Sequence, residues 1–210
     1  MKKEYKLDAD EQEILDALES GELTPLKNSK KEIRKLQASA KTPCHFQNLT
    51  LQDSEYLADY FKNIGWHKPL SGFLTYLQEA ELGLRKNIVS KNSAGQIIGY
   101  VTVLWESDHP YFQERSIPEI KDLNVLPEFQ KQGFGRALLK AAEQAIYQKL
   151  DPDQTIGIGV GILKDYGPAQ RLYIQEGYIP NAEGVMVNHQ NLNYGDTGTV
   201  DDDWVLWMTK

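Results

Sequence analysis

The stretch from Glu119 to Arg136, EIKDLNVLPEFQKQGFGR, constrains the fold of this 210-residue chain more than any other. It predicts most of a buried strand that runs from Ile117 to Val125, then a sharp turn at Pro127, and then a helix that begins at a glycine-rich bend. Glycines let a ligand come close to the backbone, and the unpaired N–H groups and dipole of a helix start favour negative charge. The stretch therefore predicts a diphosphate-binding site.

A second motif follows after a strand-like run over Thr155–Ile162: the segment 166–178, YGPAQRLYIQEGY. The first motif, Gln130-x-x-Gly133-x-Gly135, resembles the acetyl-CoA motif of the GNAT N-acetyltransferases, Q/R-x-x-G-x-G/A. The second segment resembles a later helix of the same family, N-x-x-A-x-x-L-Y-x-x-x-G-F/Y, and the two motifs occur in the family's order. The resemblance covers roughly residues 44–210. It implies an α/β (α+β) GNAT fold, with a mixed, mostly antiparallel central sheet flanked by helices and splayed at the cofactor site between two parallel strands.

The resemblance also implies acetyl-CoA as co-substrate. The backbone N–H of Val125 is the group expected to polarise the thioester. Tyr166 stands where the family usually has a cofactor-binding asparagine, so that contact is expected to differ here. The residues expected to bind the cofactor are Leu123, Asn124, Val125, Gln130, Lys131, Gln132, Gly133, Phe134, Gly135, Arg136 and Tyr166.

Acetyl transfer to an amine requires a proton acceptor and a proton donor for the leaving thiolate. Tyr173 matches the family's tyrosine general acid. Glu119 is the first candidate base, because it lies where the histone-modifying branch of the family carries its catalytic glutamate; Asp122 is the second, and a water relay is the third. Regular alternation along the strand predicts that Glu119, Leu123 and Val125 share one face and Asp122 the other, unless a bulge intervenes.

Substrate recognition is assigned to loop residues that combine aromatic rings and acids: Trp66, Trp105, Glu106 and Asp108. Such groups can hold an ammonium ion by charge and cation–π contact. His67 and His109 have no partner at metal-ligand spacing, so no metal site is predicted.

Composition narrows the class of protein. A net charge of -7 and an isoelectric point near 5.2 argue against non-specific nucleic-acid binding and are compatible with a cationic amine. The single cysteine, Cys44, allows no intramolecular disulfide. No stretch approaches the roughly 20 apolar residues of a membrane span, so no membrane association is predicted and a cytoplasmic protein is the expectation.

The chain is predicted to divide into a charged helical arm, residues 1–42, and the GNAT domain, residues 43–210. The arm resembles short helical segments of some bacterial antitoxins and is too short to bury a core alone. A protein partner for the arm and a homodimer are the candidate assemblies. Two further functions stay open: a non-catalytic or regulatory CoA-binding protein acting through the arm, and a toxin-like acetyltransferase of aminoacyl-tRNA.

The remaining pattern predicts strands alternating with helices. Thr50 to Asp53 have the spacing of a helix cap, and Ser93–Gly95 that of a hairpin turn. The further predicted strands are His45–Leu49, Asn87–Ser90, Ile97–Trp105 and Trp204–Met208, and a helix is predicted over Ser71–Leu82.

Overall fold

The structure is a computed structural model that describes residues 44–187 and 190–210. The predicted arm, residues 1–42, lies outside the described residues. None of the helices in the described ranges is long and apolar enough to cross a membrane. The strands are β1 (Cys44–Asn48), β2 (Arg85–Asn92), β3 (Ile97–Leu104), β4 (Glu119–Val125), β5 (Gly157–Gly161), β6 (Ile179–Val187), β7 (Gln190–Asn191) and β8 (Trp204–Thr209), and the α-helices are α1 (Leu51–Asn63), α2 (Leu70–Glu81), α3 (Pro110–Glu114), α4 (Phe134–Lys149) and α5 (Gly167–Gln175).

The strands form one sheet in the order β1-β2-β3-β4-β5-β8-β6-β7. Only β4 and β5 run parallel among the described strand pairs, which confirms the predicted mixed, mostly antiparallel sheet. These two strands pair only at Glu119 with Gly157 and at Ile120 with Ile158. Beyond those pairs they separate, so the predicted split between two central parallel strands is present.

A bulge in β4 changes which side chains share a face. Tyr100 pairs with Asn124 and Thr102 with Lys121, so β4 has one residue more than β3 over this interval. Asp122 lies in the bulge with a φ of 52°. The pattern of strict alternation that the sequence predicted is therefore broken in the middle of the strand.

Helices cover both faces of the sheet. On the face that we call the α4/α5 face, Ile120 and Leu138 belong to a buried cluster that also includes Tyr173 of α5. On the opposite face, the α1/α2 face, Tyr100 packs with Phe61 of α1 and Phe73 of α2. Helices α4 and α5, which carry the two sequence motifs, therefore lie on one face of the sheet, and α1 and α2 lie on the other face.

Local sequence accounts for the start of α1. Thr50 and Asp53 form a reciprocal capping box, as their spacing predicted, and the side chain of each accepts a hydrogen bond from the other's backbone N–H. By contrast, α3, β6 and β7 were not predicted. The short α3 lies in a segment interpreted as a loop, and β6 contains Pro180 and an interrupted register with β8, both of which hide a strand pattern.

The glycines of β5 make room for aromatic rings. A Cβ atom on Gly157, Gly159 or Gly161 would lie within 3 Å of the ring of Phe112, Trp207 or Tyr166, respectively. The alternate residues, Ile158 and Val160, point into the core of the α4/α5 face. The glycine pattern of this strand therefore serves ring packing. Phe112 and Trp207 belong to a separate buried cluster, whereas Tyr166 precedes α5 and packs against the core of the α4/α5 face.

Candidate active site

The glycine-rich bend opens the N-terminus of α4. Gly133 is the N-cap residue, has a φ of 88°, and would have open space around an added Cβ. No side chain caps this helix, so the first-turn N–H groups keep their capacity to donate. Lys131, just before, also has a positive φ of 58°. The start of α4 therefore has backbone donors without a side-chain cap, at the bend where a diphosphate site is predicted.

Other residues of the first motif have structural partners. Gln132 donates its side-chain amide to the carbonyl of Glu128 over 3.0 Å. A Cβ atom on Gly135 would lie 3.5 Å from Leu172 of α5, and Phe134 is buried. The guanidinium of Arg136 forms an ion pair with Glu176. Gly135 and Arg136 therefore hold the start of α4 against α5 and the residue that follows it, whereas Gln132 closes the turn before α4.

The backbone of Val125 faces the split. Leu126 donates its N–H to the carbonyl of Ile98 over 2.9 Å. Successive residues of an antiparallel strand alternate between facing the partner strand and facing away from it. The N–H and carbonyl of Val125 therefore face away from β3, towards the gap left by β5, and Gln130 donates its side-chain amide to that carbonyl over 3.0 Å.

The bulge places Asp122 on the α1/α2 face. Its Oδ1 lies 2.9 Å from Nζ of Lys68, and its Oδ2 accepts a hydrogen bond of 2.8 Å from the hydroxyl of Tyr76 in α2. Burial alone would raise the pKa of the Asp122 carboxyl, but the charge of Lys68 and the two hydrogen bonds hold it below its usual value. Asp122 is therefore an anion with its partners already in place.

Glu119 lies at the closed end of the split, where β4 still pairs with β5. It is 1% exposed, accepts a hydrogen bond from Ser107 and lies 3.5 Å from Nζ of Lys121. Burial raises the pKa of the Glu119 carboxyl, against the opposing charge of Lys121 and the bond from Ser107.

The bulge brings both candidate bases to one face. Glu119 contacts Lys121, and Lys121 lies opposite Thr102 in the paired strand β3. The side chain of Thr102 accepts a hydrogen bond from Arg85. The guanidinium of Arg85 in turn lies over the ring of Tyr76, which contacts Asp122. Leu123 and Val125 point to the opposite side, near Gly135 of α4. The predicted alternation, with Asp122 opposite to Glu119, is therefore wrong because the bulge turns the strand by one residue.

Tyr173 of α5 is a core residue with 5% exposure. Its hydroxyl makes no hydrogen bond within the described residues, and its ring lies 6.0 Å from that of Tyr178. Burial, and secondarily the neighbouring Tyr166, raise the pKa of the Tyr173 phenol, which keeps it protonated. Tyr166 itself covers Gly161 and lies beside Asp202, whose charge and hydrogen bond add to burial in raising the pKa of Tyr166.

The predicted substrate residues do not come together. Trp66 is exposed and stacks on Phe61 on the α1/α2 face. Trp105 packs against the core of the α4/α5 face and under Nζ of Lys149, at the far end of α4 from the bend. Asp108 lies 3.2 Å from Nζ of Lys121, and Glu106 is exposed.

Three residues near Asp122 were missed by sequence reasoning: Lys68, Tyr76 and Tyr100. With His67, Pro69, Gly72 and Phe73 they line a pocket of about 170 Å³ on the α1/α2 face. The only sequence signal was Trp66, two residues before Lys68, which was assigned to substrate recognition without indicating a partner for Lys68. In the part of the chain that the structure describes, no group of three or more His, Cys, Asp or Glu side chains could hold a metal ion.

Comparison with known families agrees with the two motifs. Residues 85–180 match the family model described as "Acetyltransferase (GNAT) domain". This range includes β2 to α5 and thus the bend, the bulge and Tyr173. No curated protein sequence matches this chain significantly.

Solved structures share the fold at low sequence identity. A spermidine N-acetyltransferase from Vibrio cholerae, in complex with CoA and spermine, is 19% identical, with a TM-score of 0.56 over 80% of this chain and 94% of that one. A dodecameric structure of spermidine N-acetyltransferase from Vibrio cholerae is 18% identical, with a TM-score of 0.54 over 80% and 92%. A GNAT-family protein from Desulfovibrio desulfuricans is 15% identical, with a TM-score of 0.58 over 80% and 98%.

Proposed function

Residues 85–180 constitute a GNAT acetyltransferase domain, which makes the protein an acyltransferase, and on that premise we propose that it transfers the acetyl group of acetyl-CoA to a primary amine of a small molecule or peptide. The observation that carries the proposal is the direction of Val125. Its N–H faces the split between β4 and β5, on the strand that leads directly into the open N-terminus of α4.

The residues present fit acetyl-CoA. The outward N–H groups around Gly133 suit a diphosphate, because a helix start presents both donors and a favourable dipole to an anion. The pairing of β4 with β5 ends at Ile120 and Ile158, so Leu123 and Asn124 lie on the part of β4 that has no partner in β5. We assign the pantetheine arm to this part of the split. The side chain of Lys131 is exposed beside this bend.

When bound, acetyl-CoA supplies a thioester whose carbonyl carbon is attacked by the amine, so that a C–N bond forms and the C–S bond breaks. The Val125 N–H donates to the carbonyl oxygen as negative charge develops there. The Tyr173 hydroxyl gives its proton to the departing sulfur. The ammonium substrate gives one proton to a carboxylate or water before it attacks, and the nitrogen gives a second to water as the amide forms. Exchange with solvent then returns a proton to Tyr173 and removes the one held by the carboxylate.

The two carboxylates differ in ways that divide their roles. Asp122 is three residues from Val125, carries two polar partners and has a lowered pKa, so it is suited to hold a cation. Glu119 has a raised pKa, which suits proton acceptance near neutral pH. Because it is buried at the closed end of the split, we assign Glu119 to proton acceptance through water rather than by direct contact.

Turnover with a panel of amines tests the proposal. The purified protein is incubated with acetyl-CoA and each of a set of alkylamines, polyamines, aminoglycosides and peptides, while free CoA is followed with a thiol reagent. Polyamines belong in the set because the Vibrio cholerae protein of similar fold holds spermine. Mass spectrometry must then find the product heavier by one acetyl group.

The outcomes separate the candidate functions. Amine-dependent CoA release with an acetylated product supports the acetyltransferase. Tight acetyl-CoA binding by calorimetry, without turnover of any amine, supports the regulatory CoA-binding protein instead. A charged aminoacyl-tRNA added as acceptor tests the third function, and its acetylation in preference to every free amine would overturn the proposed substrate class.

A further inference from the structure

The ion pair between Lys68 and Asp122 places a primary ammonium at the acceptor side of the split. Nζ of Lys68 lies 2.9 Å from Oδ1 of Asp122 and 5.9 Å from the centre of the Tyr100 ring. The hydroxyl of Tyr76 bonds to the other oxygen of the same carboxylate. A carboxylate combined with aromatic rings is the chemistry by which proteins hold alkylammonium ions.

The anionic side of this arrangement is built into the sheet. Asp122 lies in the β4 bulge, and its carboxyl group takes its direction from that fixed backbone. Tyr76 lies under the guanidinium of Arg85, which is 4.4 Å from the ring centre and also bonds to Thr102 over 2.7 Å. Tyr100 is 1% exposed and packs on Phe73. The cage is therefore preorganised by packing that does not involve Lys68.

The cationic side lies on a short connecting segment. Lys68 lies between the end of α1 and the start of α2, and its neighbours His67 and Pro69 are exposed. Its side chain keeps 29% of its surface in contact with solvent and borders the pocket of about 170 Å³. Rotation of one lysine side chain would free the carboxylate and enlarge the pocket without any change in the sheet.

The position of the cage relates it to acetyl transfer. Asp122 is three residues before Val125 on the same strand, and its side chain lies on the face opposite to α4. An amine bound there approaches the split from the side that the first motif does not cover. This relationship rests on the proposed function, because it takes Val125 as the site of the thioester.

We propose that Asp122, Tyr76 and Tyr100 form the binding subsite for a primary alkylammonium substrate, and that Lys68 occupies this subsite in the free protein as an internal stand-in for the substrate. The lysine side chain is itself a butylammonium group. The acceptor is therefore a linear alkylamine or polyamine whose terminal ammonium displaces Lys68 from Asp122. Because the substrate binds only when Lys68 has left the subsite, its apparent dissociation constant equals the intrinsic one divided by the fraction of protein in which the subsite is free.

A second ion pair provides a matched control. Lys91 of β2 lies 2.6 Å from the buried Asp53 of α1, with 17% and 6% of the two side chains exposed. This pair joins the same kinds of residue, but it caps the beginning of α1 and is not among the residues that line the pocket. Loss of Lys91 removes a structural ion pair and leaves the subsite unchanged.

The test compares Lys68→Met with Lys91→Met. Calorimetry with n-butylammonium, in the absence of acetyl-CoA, should give a dissociation constant about tenfold lower for Lys68→Met than for the unaltered protein, if Lys68 fills the subsite nine-tenths of the time. The Lys91→Met variant should bind n-butylammonium like the unaltered protein. Replacement of Asp122 by Asn in the Lys68→Met background should abolish the gain.

The result that overturns the proposal is an unchanged or weaker affinity of folded Lys68→Met for n-butylammonium. If Lys68→Met does not fold, Lys68→Gln keeps a polar side chain without the charge and is judged by the same measurement. The binding readout is independent of turnover. Tighter n-butylammonium binding by Lys68→Met, without CoA release from any amine, would support the subsite and contradict the proposed acetyltransferase activity. Turnover of an amine without tighter binding would support the acetyltransferase activity and contradict the subsite.

Discussion

Arg136, in the first turn of α4, forms an ion pair with Glu176, the C-cap residue that directly follows α5. The same guanidinium donates to the side chain of Gln175 over 2.9 Å. Since α4 carries the first motif and α5 the second, this contact holds the two motifs together. It also directs a side chain that was predicted to bind the cofactor towards the protein.

Replacing Arg136 by Gln should reduce stability more than it reduces acetyl-CoA affinity. The loss of a half-buried ion pair costs ~1 kcal/mol, or about 2–4 °C in Tm for a chain of this size. Thermal unfolding and calorimetry with acetyl-CoA measure the two effects, and Arg171→Gln on the exposed side of α5 is the control. A large loss of affinity with unchanged Tm would show that the guanidinium itself binds the diphosphate.

A carboxylate at Gly133 should abolish acetyl-CoA binding. Gly133→Glu places a negative charge at the open N-terminus of α4 and a side chain on a backbone with a φ of 88°. Gly83→Glu imposes a similar backbone strain, at a φ of 75°, between α2 and β2, and should bind acetyl-CoA normally. Calorimetry measures the acetyl-CoA affinity of both folded variants. Near-normal affinity of Gly133→Glu would show that the cofactor does not bind at the start of α4.

Position 135 makes a graded comparison. Gly135→Ala adds only ordinary van der Waals contacts, to Leu172 at 3.5 Å, Val125 at 3.8 Å and Leu123 at 3.9 Å, so we expect it to fold and bind acetyl-CoA. Gly135→Glu is expected to prevent binding, because the larger charged side chain does not fit between α4 and α5. Equal affinities of the Ala and Glu variants would contradict this role of the second glycine.

Removal of the Tyr173 hydroxyl should slow turnover without weakening the fold. Tyr173→Phe keeps the buried ring, and no hydrogen bond within the described residues is lost. We expect kcat to fall by roughly 10²- to 10⁴-fold with little change in acetyl-CoA affinity, if proton transfer limits the rate. Tyr178→Phe, a neighbouring buried tyrosine, is the control, and an unchanged kcat in Tyr173→Phe would return Tyr173 to a purely structural role.

The two carboxylates should respond differently to pH. A base acts when it is deprotonated, so kcat/KM falls as the pH drops through its pKa; burial, which raises the pKa of Glu119, moves this limb upwards. Glu119→Gln should remove the acidic limb with little change in KM for the amine. Asp122→Asn should raise that KM and leave the limb in place, because Asp122 has a lowered pKa.

The pH profiles of both variants, measured with one amine, decide between these roles. Loss of the limb in Asp122→Asn alone would make Asp122 the base. Retention of the limb in both variants would mean that the amine loses its proton to water.

The site could be predicted from sequence where its residues are close along the chain. The bend at Gly133, the capping box at Thr50 and the order of strands and helices around the motifs all follow from local spacing. The helix start depends only on glycine geometry and on the apolar face of the residues that follow. The position of Tyr173 in α5 could likewise be read from the second motif.

Tertiary structure decided which side chains meet. The bulge at Asp122 arises from the pairing of β3 with β4, and it reverses the facing that regular alternation predicts. The partner of Asp122 is Lys68, 54 residues earlier, and no spacing rule connects them. Sequence periodicity determines what a segment can bury, because it describes one element at a time. The register between elements determines which charges come into contact, and that register exists only once the sheet has formed.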